Sequence, residues 1–243
     1  MTNKSLITII SSYSDDMLVD PSGKIIRNQK GGPALFIEQA IRSEGLPYRL
    51  LAGDRVNVEI LVTPTGEYGR VAVPPTEYFA QTDALTEWTI VSTILDEWNL
   101  TDLQVLPARL FIDIQGYVRK PGDFGQKQFW GGLPKLADQI FCLKGTAEEI
   151  KCLPRPVIED QKTRLLIVTY GDEGADIFYE GRRSRIKANK IAGLDNTIGA
   201  GDTFLAYTAA SMYRGSPPEA AATYAAQKTA QFLQQKLKDR SAS

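Results

Sequence analysis

Apolar runs rich in β-branched residues recur along the chain, and stretches with helical spacing lie between them. "LITIIS" (Leu6 to Ser11), "ARLFIDI" (Ala108 to Ile114), "QIFCL" (Gln139 to Leu143) and "RLLIVTY" (Arg164 to Tyr170) read as strands buried on both faces. "GPALFIEQAIRSEG" sets Leu35, Ile37, Ala40 and Ile41 to one side and stops at Gly45, which predicts a helix over 32–45. "ALTEWTIVSTILDEWN" (Ala84 to Asn99) predicts a second helix, and the run into Gly215 a third. "SPPEAAATYAAQKTAQFLQQKL" predicts a fourth, opening on Ser216, Pro217 and Glu219 as a capping box with proline at its first helical position.

Strands alternating with helices predict an α/β fold, a mostly parallel central sheet with helices on both faces. Two stretches break the pattern. "MLVDPSGKIIRNQ" (17–29) and "NVEILVTPTGEYGRVAVP" (57–74) set short strands around Pro-Ser-Gly and Pro-Thr-Gly-Glu turns. They predict hairpins in a small antiparallel appendage at the sheet's edge. Without repeats or low-complexity tracts, one domain over 1–243 with this β extension is the expectation.

Composition narrows the function more than the fold. The formal net charge is −1, so bulk electrostatics offers no case for a nucleic-acid partner. No apolar run approaches the roughly 20 residues a membrane helix needs, so no membrane partner is expected. Cys142 and Cys152 lack zinc spacing and suit a reducing compartment. The N-terminal apolar run reads as a buried strand rather than an export signal, and the expected location is cytoplasmic. Histidine is absent, which removes Ser-His-Asp and Cys-His chemistry. A general base in this chain is therefore a carboxylate, Lys, Tyr or Cys.

"NTIGAGDTFLAYTAASMYRG" (Asn196 to Gly215) sets Gly199, Ala200 and Gly201 at the mouth of the third helix, with Asp202 behind them. Amides at a helix N-terminus lack intrahelical partners and carry partial positive charge, and small residues let an anion approach. Asp202 would repel that anion unless its task is to accept a proton beside it. Phosphoryl transfer to an alcohol needs that pair: a carboxylate for the hydroxyl proton and amides for the transferring group. The alternative is a capped turn and nothing more. The stretch is neither a P-loop nor a dinucleotide fingerprint.

"NTIGAGDTF" resembles the D-T-x-G-A-G-D-x-F signature of the ribokinase-like (PfkB) family of carbohydrate and nucleoside kinases. "GGPALFIEQAIRSEG" resembles that family's acceptor-side glycine pair and helix, "CLKGTAEEIKCL" its K-x-N-x-x-E segment, and "LIVTYGDEGADIFYEG" its T-x-G-x-x-G nucleotide loop. The four segments fall in the family's order, from about Leu6 to about Gly215. The resemblance implies a ribokinase-like three-layer sandwich with a small β-hairpin lid, ATP and Mg²⁺, and a small-molecule alcohol as acceptor. It implies that Asp202 is the general base and that Gly199, Ala200 and Gly201 form the anion hole. Thr169, Gly171 and Gly174 match the nucleotide loop, and Glu149 the glutamate that orders Mg²⁺ through water, with Lys144 nearby. Asp16, Gly31 and Gly32 match acceptor contacts. Gln115, at the turn of "FIDIQGYVRK", ends a strand where α/β proteins bind ligands, and buried Asp113 lies in the same segment.

The sequence departs from the family at several places. Asn196 stands for the first aspartate of the signature, which family members use around a monovalent cation, so potassium activation is left open. Thr146 stands for the asparagine of K-x-N-x-x-E, and Phe36 where sugar kinases often carry asparagine. After Gly45 a strand-helix unit is expected to be missing. Alternatives within the resemblance are a vitamin-type kinase and a degenerate member that binds nucleotide or a partner without turnover. A homodimer paired through the lid strands is a further expectation.

Overall fold

The computed structural model describes residues 6–63, 66–101, 107–189, 191 and 196–241. In chain order the strands are β1 (Ile7–Ser11), β2 (Ser14–Val19), β3 (Ile25–Gly31), β4 (Tyr48–Ala52), β5 (Val56–Thr63), β6 (Gly66–Arg70), β7 (Tyr78–Phe79) and β8 (Trp88–Ser92). There follow β9 (Trp98–Asn99), β10 (Arg109–Asp113), β11 (Arg119–Lys120), β12 (Asp123–Lys127), β13 (Cys142–Thr146), β14 (Leu165–Thr169), β15 (Ala175–Tyr179) and β16 (Arg182–Ile186). The helices are α1 (Pro33–Ser43), α2 (Gln115–Val118), α3 (Ala147–Ile150), α4 (Arg155–Thr163), α5 (Ala200–Tyr213) and α6 (Pro218–Ser241).

The central sheet runs β16-β15-β14-β13-β10-β8-β1-β4. Strands from β4 to β14 pair in parallel, and β15 and β16 close one edge antiparallel. Side chains alternate between its faces, which explains why the strands read as unbroken apolar runs. Ile9, Ile90, Phe111, Leu165 and Ile167 meet α1, α5 and α6 on one face. Ile10, Val91, Ile112, Leu143, Leu166 and Val168 meet Tyr117, Trp130, Ile150 and Leu153 on the other. This is the three-layer, ribokinase-like arrangement that the sequence predicted. Among the described residues no helix is long and apolar enough to cross a membrane.

Ala84 to Asn99 is not a helix. It holds β8, a central strand, followed by a tight loop and the short β9. Leu85, Trp88, Val91 and Trp98 fall at helical spacing, but Thr89, Ile90 and Val91 are β-branched and buried on both sides. Pairing with β1 and β10 decided the outcome against the periodicity. The strand read at Gln139–Leu143 begins at Cys142 and continues through Lys144 to Thr146. The last helix starts at Pro218, one residue beyond the predicted proline, and Ser216 Oγ instead accepts from Ser211 Oγ at 2.9 Å.

The β extension is a four-stranded sheet, β3-β2-β5-β6. Each hairpin is antiparallel as predicted, but the hairpins join through a parallel β2–β5 pair, so the sheet is mixed. Its strands begin at Ser14 and Val56, earlier than predicted, which brings Ser14 and Asp16 onto the inner face. That face buries Leu18, Val56, Val58 and Ile60 against Ile94, Leu95 and Phe124. Between β4 and β8 the described residues hold strands and one 3₁₀ turn, Thr82–Ala84, and no α-helix.

Leu166 is fully buried at the middle of the sheet. Leu166→Ala should cost about 2–5 kcal/mol of unfolding free energy, read from urea denaturation, because the sheet cannot collapse into the space left.

Candidate functional site

Parallel pairing places Ser92 beside Asp113, each the last residue of its strand, and Asp113 beside Lys144, the third residue of β13. Ser11, one strand further, donates its hydroxyl to the Ser92 carbonyl at 2.7 Å. This row of polar side chains ends the otherwise apolar runs of β1, β8, β10 and β13. It sits where open α/β sheets bind ligands.

Asp202 reaches the row from above. It is the third residue of α5, buried, and its Oδ1 accepts from Ser92 Oγ at 2.8 Å and from Gln115 Nε2 at 2.8 Å. Burial raises its pKa, opposed by the Lys144 and Arg119 charges and the two hydrogen bonds. Gln115 is held in turn, accepting from Arg119 Nη2 at 2.9 Å through Oε1. Arg119 also donates to the Ile94 carbonyl and lies over the Phe124 ring, while its buried Nε has no partner.

Beneath Asp202, Lys144 Nζ lies 2.5 Å from Asp113 Oδ2, and both side chains are almost wholly buried. Burial works against the ammonium, but Asp113, Asp202 and Glu149 outweigh it and hold the Lys144 pKa above its ordinary value. Burial pushes Asp113 up to about 6, opposed by the Lys144 charge and its hydrogen bond. Glu149 caps α3: its Oε2 accepts from the Thr146 amide at 2.8 Å, and Oε1 faces Lys127 Nζ at 3.6 Å. Its pKa is lowered: burial would raise it, but Lys144, Arg119, the Thr146 amide and Lys127 prevail. Thr146, the substitute for asparagine, supplies the other half of this capping box. Three carboxylates and three cations thus balance within one cluster.

The glycine turn lies over Lys144. Gly199 is left-handed (φ 84°), and a Cβ on it would strike the Phe36 ring. A Cβ on Gly201 would lie 2.6 Å from Lys144 Nζ. The Ala200 amide already donates to Thr197 O at 3.0 Å, which leaves Gly201 and Asp202 as the helix-opening amides. Asn196 points away from the cleft, accepting from Lys236 Nζ at 2.6 Å.

A cleft of about 760 Å³ runs through this centre. One end lies under the lid, lined by Asp16, Gly32, Phe36, Val58, Ile60, Phe124 and Arg119. Asp16 is buried, its pKa raised by that burial. Gly31 sits behind Asp16 rather than on the wall: a Cβ there would overlap the carboxylate. The other end passes Thr169, Gly171 and Gly174 to an apolar slot of Ala188, Ile191, Ala226, Ala230 and Leu233. Gly174 presses its Cα against Ile186 O, so no side chain fits. In that slot the buried Thr229 Oγ1 has no partner.

The predicted residues therefore converge, except Gly31 and Asn196, which stand one layer back. Ser92, Arg119, Lys127, Thr229 and Lys236 were not singled out from sequence. Ser92 carried a weak signal, a polar end to a buried strand, and Arg119 another, four residues beyond Gln115. Among the described residues no group of three or more His, Cys, Asp or Glu side chains is placed to cage a metal.

Residues 124–242 match the pfkB family carbohydrate kinase model. No curated protein matches the chain significantly in sequence. Solved structures do match in fold. A pyrophosphate-dependent kinase in the ribokinase family, complexed with a pyrophosphate analog and myo-inositol, is 17% identical, with a TM-score of 0.71 over 92% of this chain and 93% of that one. The nucleoside kinase of Methanocaldococcus jannaschii is 16% identical, with a TM-score of 0.73 over 93% and 90%. Arabidopsis thaliana ribokinase, complexed with ribose and ATP, is 14% identical, with a TM-score of 0.68 over 93% and 91%.

The ion pair makes a stability prediction. Asp113 has a folded-state pKa of about 6, above that of an unfolded chain. Its contribution to stability is full below the ordinary carboxylate range and is lost as pH rises through about 6. Lys144→Met removes the cation that holds the Asp113 pKa down, so Asp113 must bind a proton or stay buried unpaired, and the variant should lose about 3–5 kcal/mol near neutral pH. The deficit should shrink when urea melts are repeated near pH 5, where Asp113 takes up a proton.

Proposed function

We propose that this chain is a ribokinase-like (PfkB) small-molecule kinase that transfers the γ-phosphate of ATP to a hydroxyl of a small sugar, polyol or nucleoside, with Asp202 as general base. The observation that carries the reading is the placement of Asp202. It is a buried carboxylate at the mouth of α5, held by Ser92 and Gln115, between an acceptor-sized space under the lid and the helix-opening amides.

Asp202 accepts the hydroxyl proton as the oxygen attacks. Burial raises its proton affinity towards the working pH, and Ser92 and Gln115 fix its rotamer. The amides of Gly201 and Asp202, with the Lys144 ammonium beneath them, stabilise negative charge on the transferring group. Asp16 and Gly32 orient the acceptor from the lid side, and Phe36, Val58, Ile60 and Phe124 exclude water from it.

Two observations support ATP as the donor. Pyrophosphate has no apolar part to fill the slot of Ala188, Ile191, Ala226, Ala230 and Leu233, whereas a purine does. Thr229 Oγ1, buried and unpartnered there, suits the edge of a base. Mg²⁺ fits as an ion carried by the donor's phosphates, which keeps several of its waters. Glu149 would hold those waters, and the ion would neutralise charge between the phosphates. The two unpaired cysteines suit a reducing, cytoplasmic setting. Ile25, Ile26, Tyr68 and Val73 are exposed on or beside the lid sheet and support pairing with a second copy. A monomeric mass in solution at micromolar concentration removes the dimer.

Asp202→Asn should bind ATP within a few-fold of the parent and lose turnover by about 10²–10⁴-fold, measured as ADP release across a panel of sugars, inositols and nucleosides. Turnover within a few-fold of the parent would sink the assignment of the base. The parent's rate should fall as pH drops through the raised Asp202 pKa, since only the ionised carboxylate accepts a proton. Turnover with pyrophosphate but not ATP would overturn the donor assignment.

A further inference from the structure

Lys236, near the end of α6, lies beside the turn that leads into Gly199. Its ammonium donates to Asn196 Oδ1 at 2.6 Å and to the Ile198 carbonyl at 2.9 Å. It also stands 5.8 Å from the Phe36 ring centroid and 5.5 Å from that of Phe232, and the two rings meet edge to face. Gly199 in turn packs its Cα on Phe36. One cation therefore joins α6, the aromatic floor and the Asn196–Ile198 turn, one residue before the anion hole.

A carbonyl and an amide oxygen are ligands that a free monovalent cation would take. Here an ammonium of the same charge takes them. The site does not fit an additional cation: Asn196 brings no negative charge, and its Oδ1 is already shared between Lys236 and the Ile198 amide. Two departures from the family pattern, Asn196 and Phe36, thus belong to one arrangement.

We propose that Lys236 is a positioning residue, a tethered monovalent cation that holds the Asn196–Ile198 turn and through it the phosphate-receiving shape of Gly199–Gly201. The proposal rests on the kinase reading of the same site. It implies that turnover does not depend on added potassium.

The test compares the parent, Lys236→Met, which keeps the aliphatic stem on the two rings, and Lys236→Arg. ADP release is measured in sodium, potassium and ammonium salts of equal ionic strength. Hydrogen exchange over residues 197–203 is followed in the unliganded proteins. The parent should turn over equally, within about two-fold, in all three salts. Lys236→Met should lose about ten-fold or more and exchange faster over 197–203, with potassium or ammonium restoring part of both. Lys236→Arg should keep most of the rate. A potassium requirement in the parent overturns the proposal. So does a Met variant with parental rate and exchange, or one whose faster exchange spreads along α6 without rescue by any salt. If the parent shows no ATP turnover at all, the kinase reading fails, and localised, salt-reversible exchange alone decides the role of Lys236.

Discussion

The site rests on a buried ion pair between neighbouring parallel strands. Lys144 and Asp113 stand side by side in register at the carboxyl end of the sheet, with almost no access to water. Such a pair offers little net stability, because desolvating two charges consumes most of their attraction. Its value here is geometric. Removing either partner leaves a buried charge, so the two hold each other and fix the floor on which the glycine turn lies. A side chain at Gly201 would displace the Lys144 ammonium from its place beside Asp113.

From that floor the charges are built outward in alternation. Asp202 and Glu149 face Lys144, Arg119 faces Gln115 and the Asp202 carboxylate, and Lys127 faces Glu149. Cations and carboxylates balance, so the cluster can be buried without large net charge. It still presents the Asp202 carboxylate and the first amides of α5 to the cleft. Few of these groups are spare, and a change at one alters the proton affinity of the rest.

The lid contributes shape more than charge. Its inner face is apolar except for Ser14 and Asp16, and it packs on the loop after β8 and on Phe124. The loop after β8 is held by Glu97, whose carboxylate accepts the backbone amides of Ile94 and Leu95. Lid, loop and polar row therefore meet at Ile94, which packs under the lid and accepts a hydrogen bond from Arg119.

Local sequence by itself determined β1, β10, β14 and the start of β13, because burial on both faces demands unbroken β-branched runs, and the glycine turn with Asp202, because small residues crowd at a helix mouth. The strands β4, β8, β15 and β16 were not legible as such. The order of four motifs was enough to indicate the family. The Ala84–Asn99 stretch misled, since helical spacing of Leu85, Trp88 and Val91 cannot reveal that two neighbouring strands will claim the same residues. Register was also invisible. That Ser92, Asp113 and Lys144 form one row follows from hydrogen bonds between segments separated by 20 residues or more. The partnership of Lys236 with Asn196 spans 40 residues. In sequence, Asn196 and Phe36 read as two unrelated losses. Only the packing of α6 across the turn makes them one arrangement, because a lysine's place is set by the helix that carries it, not by its neighbours in the chain.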